Sequence, residues 1–364
     1  MEAIGKTYFK VLYNNKDISS DISEYLISIR YNDKTGEAAD ELQLTVENSG
    51  ALWENEWYPE KGAKLSAKIG DKDFMLDCGE FEIDEIEIQS PPDTVTMRAI
   101  SAPVSGSLRT SKSKAHQQTT LKQIVDQVAA DAGLTVSGTV ASIKFERVTQ
   151  NRETDLAFLR RLAKKYGFMF SVRGDKLVFE DMIEVMSADP VTTIDRSDCE
   201  SYSIKDKSAK VFRKANISSF SPTKKAVTTV TYTPSMSSNG QSIDGIETDI
   251  PVGEEDFVSD ENIEDTSQGE AIGKAALVQN STSQQEGNIT LKGDPLLVAG
   301  VNFEFTGIGK LSGKYHIEES EHSLDKESGY KCTLSIKRVG FVELTKHKRK
   351  TVKKPSSYDV TVIR

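Results

Sequence analysis

Carboxylates are the most numerous groups able to do chemistry in this chain, and two adjacent pairs sit in strand-like segments, Asp84-Glu85 and Glu318-Glu319. Two acids flanking a bond are the apparatus of glycoside hydrolysis. Neighbours on an alternating strand point to opposite faces, however, so one acid of each pair is expected simply to face water. Four histidines, His116, His316, His322 and His347, would have to supply any Ser-His-Asp arrangement. Two lie in or beside alternating strands and two in polar surroundings, so satisfied or exposed imidazoles are expected. Cys78, Cys199 and Cys332 are odd in number, far apart and without a Cys-x-x-Cys spacing, which argues against a disulfide framework or a zinc knuckle. They read as small apolar groups, and neither metal nor cofactor is expected. Gly307-Ile308-Gly309 is too short for a nucleotide fingerprint and precedes no helix, so it reads as a turn. Trp53 and Trp57, in Trp53-Glu54-Asn55-Glu56-Trp57, could stack a sugar or anchor a subunit contact, and the contact is the favoured reading.

Charge adds a second layer. The 364 residues carry 46 Lys and Arg against 56 Asp and Glu, a net of −10. From Gln241 to Asp265 there are ten acids and no base. Lys346, Lys348, Arg349, Lys350, Lys353 and Lys354 form a basic tail, and without those six the remainder carries −16. Such a tail can meet nucleic acid, the acidic stretch or another protein. No aromatic interrupts it for base stacking and the body repels phosphate, so specific nucleic-acid binding is not expected. No run approaches the roughly 18 apolar residues of a membrane helix, and the amino terminus lacks the basic and apolar regions of a secretory signal, so folding in a cytosol is expected.

The elements that would position these groups are mostly strands. Six short alternating segments from Tyr8 to Ile100, among them Leu42, Leu44 and Val46 on one face, argue an antiparallel sandwich or barrel. Helical spacing then appears: Thr120-Leu121-Lys122-Gln123 is a capping box followed by Leu121, Ile124, Val125, Val128 and Ala129. A second helix is expected from Asp155 to Tyr166, acids at its start, bases near its end and Gly167 beyond. A hairpin through Arg173-Gly174-Asp175 follows. Strands return after Asp189-Pro190, interrupted by a helix near 268–279 opened by a capping box at Ser267-Gln268-Gly269-Glu270. The expected organisation is a mainly β protein: a first β-barrel domain at 1–112, an α+β insert at 113–188, and a second barrel at 189–345 holding the acidic loop 241–265. The tail occupies 346–364.

The sharpest signal is internal. Gly79-Glu80-Phe81-Glu82-Ile83-Asp84 resembles Gly313-Lys314-Tyr315-His316-Ile317-Glu318. Upstream, Gly62 to Ala67 faces Gly300 to Phe305; downstream, Val95 to Ala99 faces Cys332 to Ile336. Three matches in one order indicate two copies of one β-module. Three such chains around an axis would place six similar modules in a ring, sixfold-like on one side and threefold on the other.

Gln118 to Leu134 and Asn151 to Phe168, with Glu153-Thr154-Asp155-Leu156-Ala157-Phe158-Leu159 as the most specific run, resemble the phage late control protein D family. So does Lys292-Gly293-Asp294-Pro295-Leu296 with Gly313 to Ile317. The resemblance spans roughly residues 5 to 340. It implies a homotrimeric tail baseplate hub of contractile phages or phage-like injection particles, similar in fold to the amino-terminal part of type VI secretion spike proteins. It also implies two tube-like barrels per chain, a sixfold-like face toward the tail tube or a tube-initiator protein, and a threefold face toward a separate spike or tip protein. Baseplate wedge proteins are further implied partners, and the virion tail the implied location, with assembly in the bacterial cytoplasm. The rival expectation is a carbohydrate-binding tail adhesin with its site around Trp53 and Trp57. In such a hub the acidic loop is expected to meet a basic partner or to line the lumen, where it would repel DNA at close range.

Overall fold

A computed structural model describes residues 2–4, 7–35, 40–72, 74–101, 106–207, 212–221, 225–237, 240–244, 246–248 and 255–341. The first module contains β1 (Thr7–Tyr13), β2 (Leu26–Lys34), β3 (Glu41–Glu47), β4 (Lys64–Gly70), β5 (Met75–Gln89) and β6 (Thr94–Ser101). They pair antiparallel in the order β1-β4-β5-β6-β3-β2. Period-two patterning does the sorting: Leu42, Leu44 and Val46 of β3 all point inward, as do Phe81 and Ile83 of β5 and Val95, Met97 and Ala99 of β6.

The middle of the chain folds as the α+β unit. It is built from β7 (Lys112–Thr120), α1 (Leu121–Asp131), β8 (Thr135–Ser137), β9 (Lys144–Glu153), α2 (Asp155–Tyr166), β10 (Phe168–Arg173), β11 (Lys176–Asp181) and α3 (Met182–Ser187). The capping box is present: the Gln123 N–H donates to Thr120 Oγ1 at 3.2 Å and the Thr120 N–H to Gln123 Oε1 at 3.0 Å. α2 starts at Thr154, whose Oγ1 accepts from the Ala157 N–H at 3.1 Å, and ends at left-handed Gly167.

The second module is β12 (Thr193–Asp195), β13 (Cys199–Asp206), β17 (Gln285–Lys292), β18 (Asn302–Thr306), β19 (Gly313–Asp325) and β20 (Gly329–Phe341), in the order β12-β18-β19-β20-β17-β13. Between β13 and β17 come β14 (Ala215–Ser221), β15 (Ala226–Tyr232), β16 (Phe257–Ser259) and α4 (Thr266–Thr282). These do not join the large sheet. Their Ile217, Val230, Ile263 and Ile272 share a core with Phe158, Leu159 and Phe179 of the middle unit. α4 lies so close to its sheet that a Cβ at Gly269 would stand 2.8 Å from Val230. The sequence boundary at 188 therefore cuts through this core, because helix-on-sheet burial is decided by which face is apolar and not by chain order. The expected Ser267 capping box is also replaced: the cap is Asp265, whose Oδ1 accepts from the Gln268 N–H at 2.8 Å.

The duplication is carried in the hydrogen bonds. Gly62 and Gly300 both have positive φ, +81° and +91°. Gly62 N–H donates to the Ile83 carbonyl at 2.7 Å and Ile83 N–H to Ala63 at 3.0 Å; Gly300 N–H donates to Ile317 at 2.8 Å and Ile317 N–H to Val301 at 3.0 Å. Phe81 opposes Leu65 as Tyr315 opposes Phe303. Ile83 opposes Ala99 as Ile317 opposes Ile336, and a bulge follows each, before Glu85 and before Glu319. A third coincidence lies in β2 and β13, which are shifted in register after Leu26 and after Cys199 against their β3 and β17 partners.

Neither module closes on itself through a strand pair among the described residues. Instead the two are joined edge to edge by β2 and β19 into one 14-stranded sheet.

Candidate assembly surface

β19 serves two partners along one edge. Residues 313–316 pair with β18, and after the bulge residues 319–325 pair with β2 of the first module. A bulge bends and twists its strand, which frees the second half to meet a different neighbour. Leu324 from β19 packs into the first module's core, and the His322 and Tyr31 rings stack across the seam at 6.3 Å between centroids.

Buried charge fixes this seam to the middle unit. Asp33 of β2 accepts from Arg173 Nη2 at 2.7 Å and from the Ala299 N–H at 2.9 Å, while Arg173 Nη2 also donates to the Ala299 carbonyl at 3.0 Å. Asp40 lies in the same small cavity, about 180 Å³, with Tyr31, Cys78, Ser101 and Arg173. Burial, with the Asp33 charge second, pushes its carboxyl up to about 7.

The two buried histidines are held as neutral groups. Asn302 Nδ2 donates to the carbonyls of Val185, Met186 and Ala188 at 2.8, 3.3 and 2.9 Å, so its Oδ1 must accept from His316 Nδ1, 2.9 Å away. Burial, then Lys337 and Lys314, brings His316 down to about 3. His322 Nε2 donates to the Leu297 carbonyl at 3.1 Å and Nδ1 meets Tyr330 Oη at 2.8 Å; burial brings it down to about 4. Cys332 Sγ lies 3.0 Å from His322 Nδ1, but burial raises the thiol to about 12 while the imidazole stays neutral. This pair packs; it is not an activated nucleophile.

The other sequence candidates fall as follows. Asp84 and Glu85 both face solvent, because the bulge breaks the alternation on which one-in, one-out rested. Glu85 meets Arg98 at 3.2 Å, and Glu318 meets Lys337 at 2.6 Å. His116 is half-buried and stacked on Phe158 at 5.2 Å, not in open polar surroundings. Gly307 and Gly309 make the expected turn, both at positive φ. Trp53 is 5% exposed and belongs to the first core, whereas Trp57 is 39% exposed and stands edge-on to it at 5.4 Å. A two-ring sugar platform is therefore not presented. His347 and the tail residues Lys346, Lys348, Arg349, Lys350, Lys353 and Lys354 lie outside the described residues.

Much of the acidic stretch is used internally. Asp244 meets Lys274 at 2.5 Å, Asp256 meets Arg213 and Lys214 at 3.0 and 3.3 Å, and Glu261 meets Lys165 at 2.5 Å. Glu264 accepts the N–H groups of Glu146 and Arg147 at 2.5 and 3.1 Å, satisfying the outer edge of β9. Glu261 and Glu264 thereby tether this segment to the middle unit, whereas Asp244 and Asp256 pair within the segment itself. Asp249 and Glu254 lie outside the described residues.

No helix among the described residues is long and apolar enough to cross a membrane. Tandem β-modules share one sheet, are flanked by an α+β unit and offer broad faces and strand edges unpaired among the described residues, the form of a scaffold for assembly. The family model "Phage tail baseplate hub (GPD)" matches residues 93–328, well over half of the chain, and the chain belongs to that family. Baseplate hub proteins are virion tail components, and family membership places the chain among them. Over 197 residues it is 34% identical to the probable baseplate hub protein of Escherichia phage P2, covering 52% of this chain and 50% of that protein. The chain spans about half the length of that curated relative. In fold it is similar to the 43 kDa tail protein of prophage MuSo2 from Shewanella oneidensis, at 15% identity and a TM-score of 0.64, covering 91% of this chain and 98% of that one. A chain of the half-lidded Francisella PdpA-VgrG complex is similar at 9% identity and a TM-score of 0.50, covering 93% of this chain and 59% of that one. At these identities the likeness to the structures is one of fold.

Proposed function

We propose that the chain is the structural hub of a contractile tail, working as a homotrimer that adapts a sixfold tail tube to a threefold central spike, without a catalytic role. The observation that carries this reading is the repeated register: Gly62, Ile83 and Ala99 recur as Gly300, Ile317 and Ile336 with the same hydrogen bonds and the same bulge. Two equivalent modules per chain become six in a trimer, which is what a sixfold partner requires, while their sequence differences keep the other face threefold. The expected partners are a tube or tube-initiator subunit, a spike or tip subunit, and wedge proteins. In this division the strands of 7–101, 193–206 and 285–341 form the ring, and 113–188 with 215–282 form its periphery. Mass measurement of the purified chain, alone and mixed with the tube and spike subunits of the same tail, tests it. A trimer that takes up both is expected; a strict monomer that binds neither would refute it.

A further inference from the structure

The intrachain seam has one unpaired counterpart in each module. In the second module, residues 319–325 of β19 are covered by β2 of the first. In the first module the equivalent half of β5, Glu85 to Gln89, has no strand on that edge among the described residues; its pairs are with β6 alone. The equivalent of β2 is β13, since Leu26 opposes Val46 as Cys199 opposes Leu291, and Ser28 opposes Thr45 as Ser201 opposes Thr290. β13 ends the sheet, pairing only with β17. One chain thus offers a free half-edge at β5 and a free terminal strand at β13, the two components that are joined at β19 and β2.

We propose that β13 of one copy adds antiparallel to β5 of the next, repeating between chains the seam found within the chain; this rests on the trimeric hub reading and names the surface that would close it. The internal seam dictates the register. Glu319 opposes Lys34, Glu321 opposes Asn32 and His322 opposes Tyr31. Carried over, Glu85 opposes Lys207 of the neighbouring copy, Glu87 opposes Lys205, and Ile88 opposes Ile204. Nothing in that transfer used residue type, yet it sets two acids against two bases and an isoleucine against an isoleucine. Cross-strand opposite charges and β-branched pairs are the favourable ones.

Two further observations fit. Ile88 and Tyr202 are 45% and 39% exposed in the single chain, though both lie on regular strands. An open strand edge carrying apolar side chains also invites pairing unless something covers it. The charges now have local partners that a neighbour would share: Glu85 and Glu87 both approach Arg98, and Lys207 meets Glu286. The contact is head-to-tail, β5 to β13, so it propagates around an axis instead of pairing two copies off.

The test is an engineered cross-link in the full chain. With Cys199→Ser as background, Ile88→Cys with Ile204→Cys should give a covalent ladder ending at trimer under mild oxidation, and Ile88→Cys with Ser201→Cys, three residues out of register, should give none. Charge reversal supplies an independent arm. Glu85→Lys with Glu87→Lys, or Lys205→Glu with Lys207→Glu, should weaken trimerisation at least tenfold, and the four changes together should restore it. If the chain is trimeric by mass but the in-register cysteines fail to link and both reversals leave the trimer intact, this junction is wrong and the threefold hub stands. A chain that remains monomeric with tube and spike subunits present overturns both.

Discussion

Asp40 should be a liability above neutral pH, and removing its charge should stabilise the protein. The carboxyl is buried beside Asp33, with Tyr31, Cys78, Asp77 and Glu80 around the same cavity and Arg173 as the facing cation. Arg173 is engaged with Asp33 and the Ala299 carbonyl. With a folded pKa of about 7 against 3.8 unfolded, the native state holds a proton that the unfolded chain has lost. A raised pKa means stability that is full below the unfolded value and is lost as pH rises through the folded one. Across that window the loss approaches about 4 kcal/mol at 1.36 kcal/mol per unit. Asp40→Asn keeps the oxygen that accepts the Lys34 N–H at 3.1 Å and removes the ionisation. At pH 8 it should raise stability by about 2 kcal/mol or more, allowing for relaxation around the charge, and at pH 5, where only about a third of the window has been crossed, the gain should be less than half of that. Thermal unfolding of wild type and variant across pH 5 to 8.5 reads this as a Tm gain that opens with pH, roughly 2–4 °C per kcal/mol in domains of 150–250 residues. Equal destabilisation at both ends, or a flat difference, would refute the argument and mean that Asp40 stays ionised in a hydrated site.

Two other outcomes are checked by the same kind of measurement. Asn302→Ala strips the donor from the Val185, Met186 and Ala188 carbonyls and the acceptor from His316, and should cost about 2–3 kcal/mol in urea unfolding at pH 7.5. His316 and His322 act with the opposite sign to Asp40: their folded pKa values lie below the unfolded 6.5, so their contribution is complete above that pH and is lost as pH falls toward about 3 and 4. Below pH 6 a His322→Gln variant should show a shallower fall in stability with acid, by up to about 1.4 kcal/mol per pH unit, measured against its own value at pH 7.5.

What the sequence made legible is what is decided within a few residues. The capping box at Thr120, the helix from Asp155 to Tyr166 with its left-handed Gly167, and the turn at Gly174 all stand as read, since each depends on neighbours in the chain. The repeat was legible because one local device, a positive-φ glycine feeding a strand beside an aromatic-x-Ile pair, was written twice. What stayed hidden depends on contacts across the chain. Glu261 and Glu264 look like members of a free acidic loop until Lys165 and the edge of β9 are beside them, roughly a hundred residues away in sequence. Trp53 looks like half of a surface pair until the first core closes over it. Asp33 and Arg173, the ion pair that ties three parts of the fold together, are 140 positions apart and carry no local signature.

The bulge links the legible part to the hidden part. An unbroken β19 would keep one edge for β18 along its whole length, and the two modules would pack as separate bodies. The shift between Ile317 and Glu319 turns the strand after it has completed its own module, so the same edge reaches β2 in the other. Because β5 carries the same shift between Ile83 and Glu85, it too is built to finish one module and begin a junction with another. Straightening that strand is a separable perturbation. Deleting Asp84 should restore alternation across the bulge and leave β5 paired to β6, but swing Glu85 to Gln89 out of line. On this reasoning the variant chain still folds, by near-UV circular dichroism, yet no longer forms the ring; a deletion that keeps both fold and trimer would show that the bulge has no part in assembly.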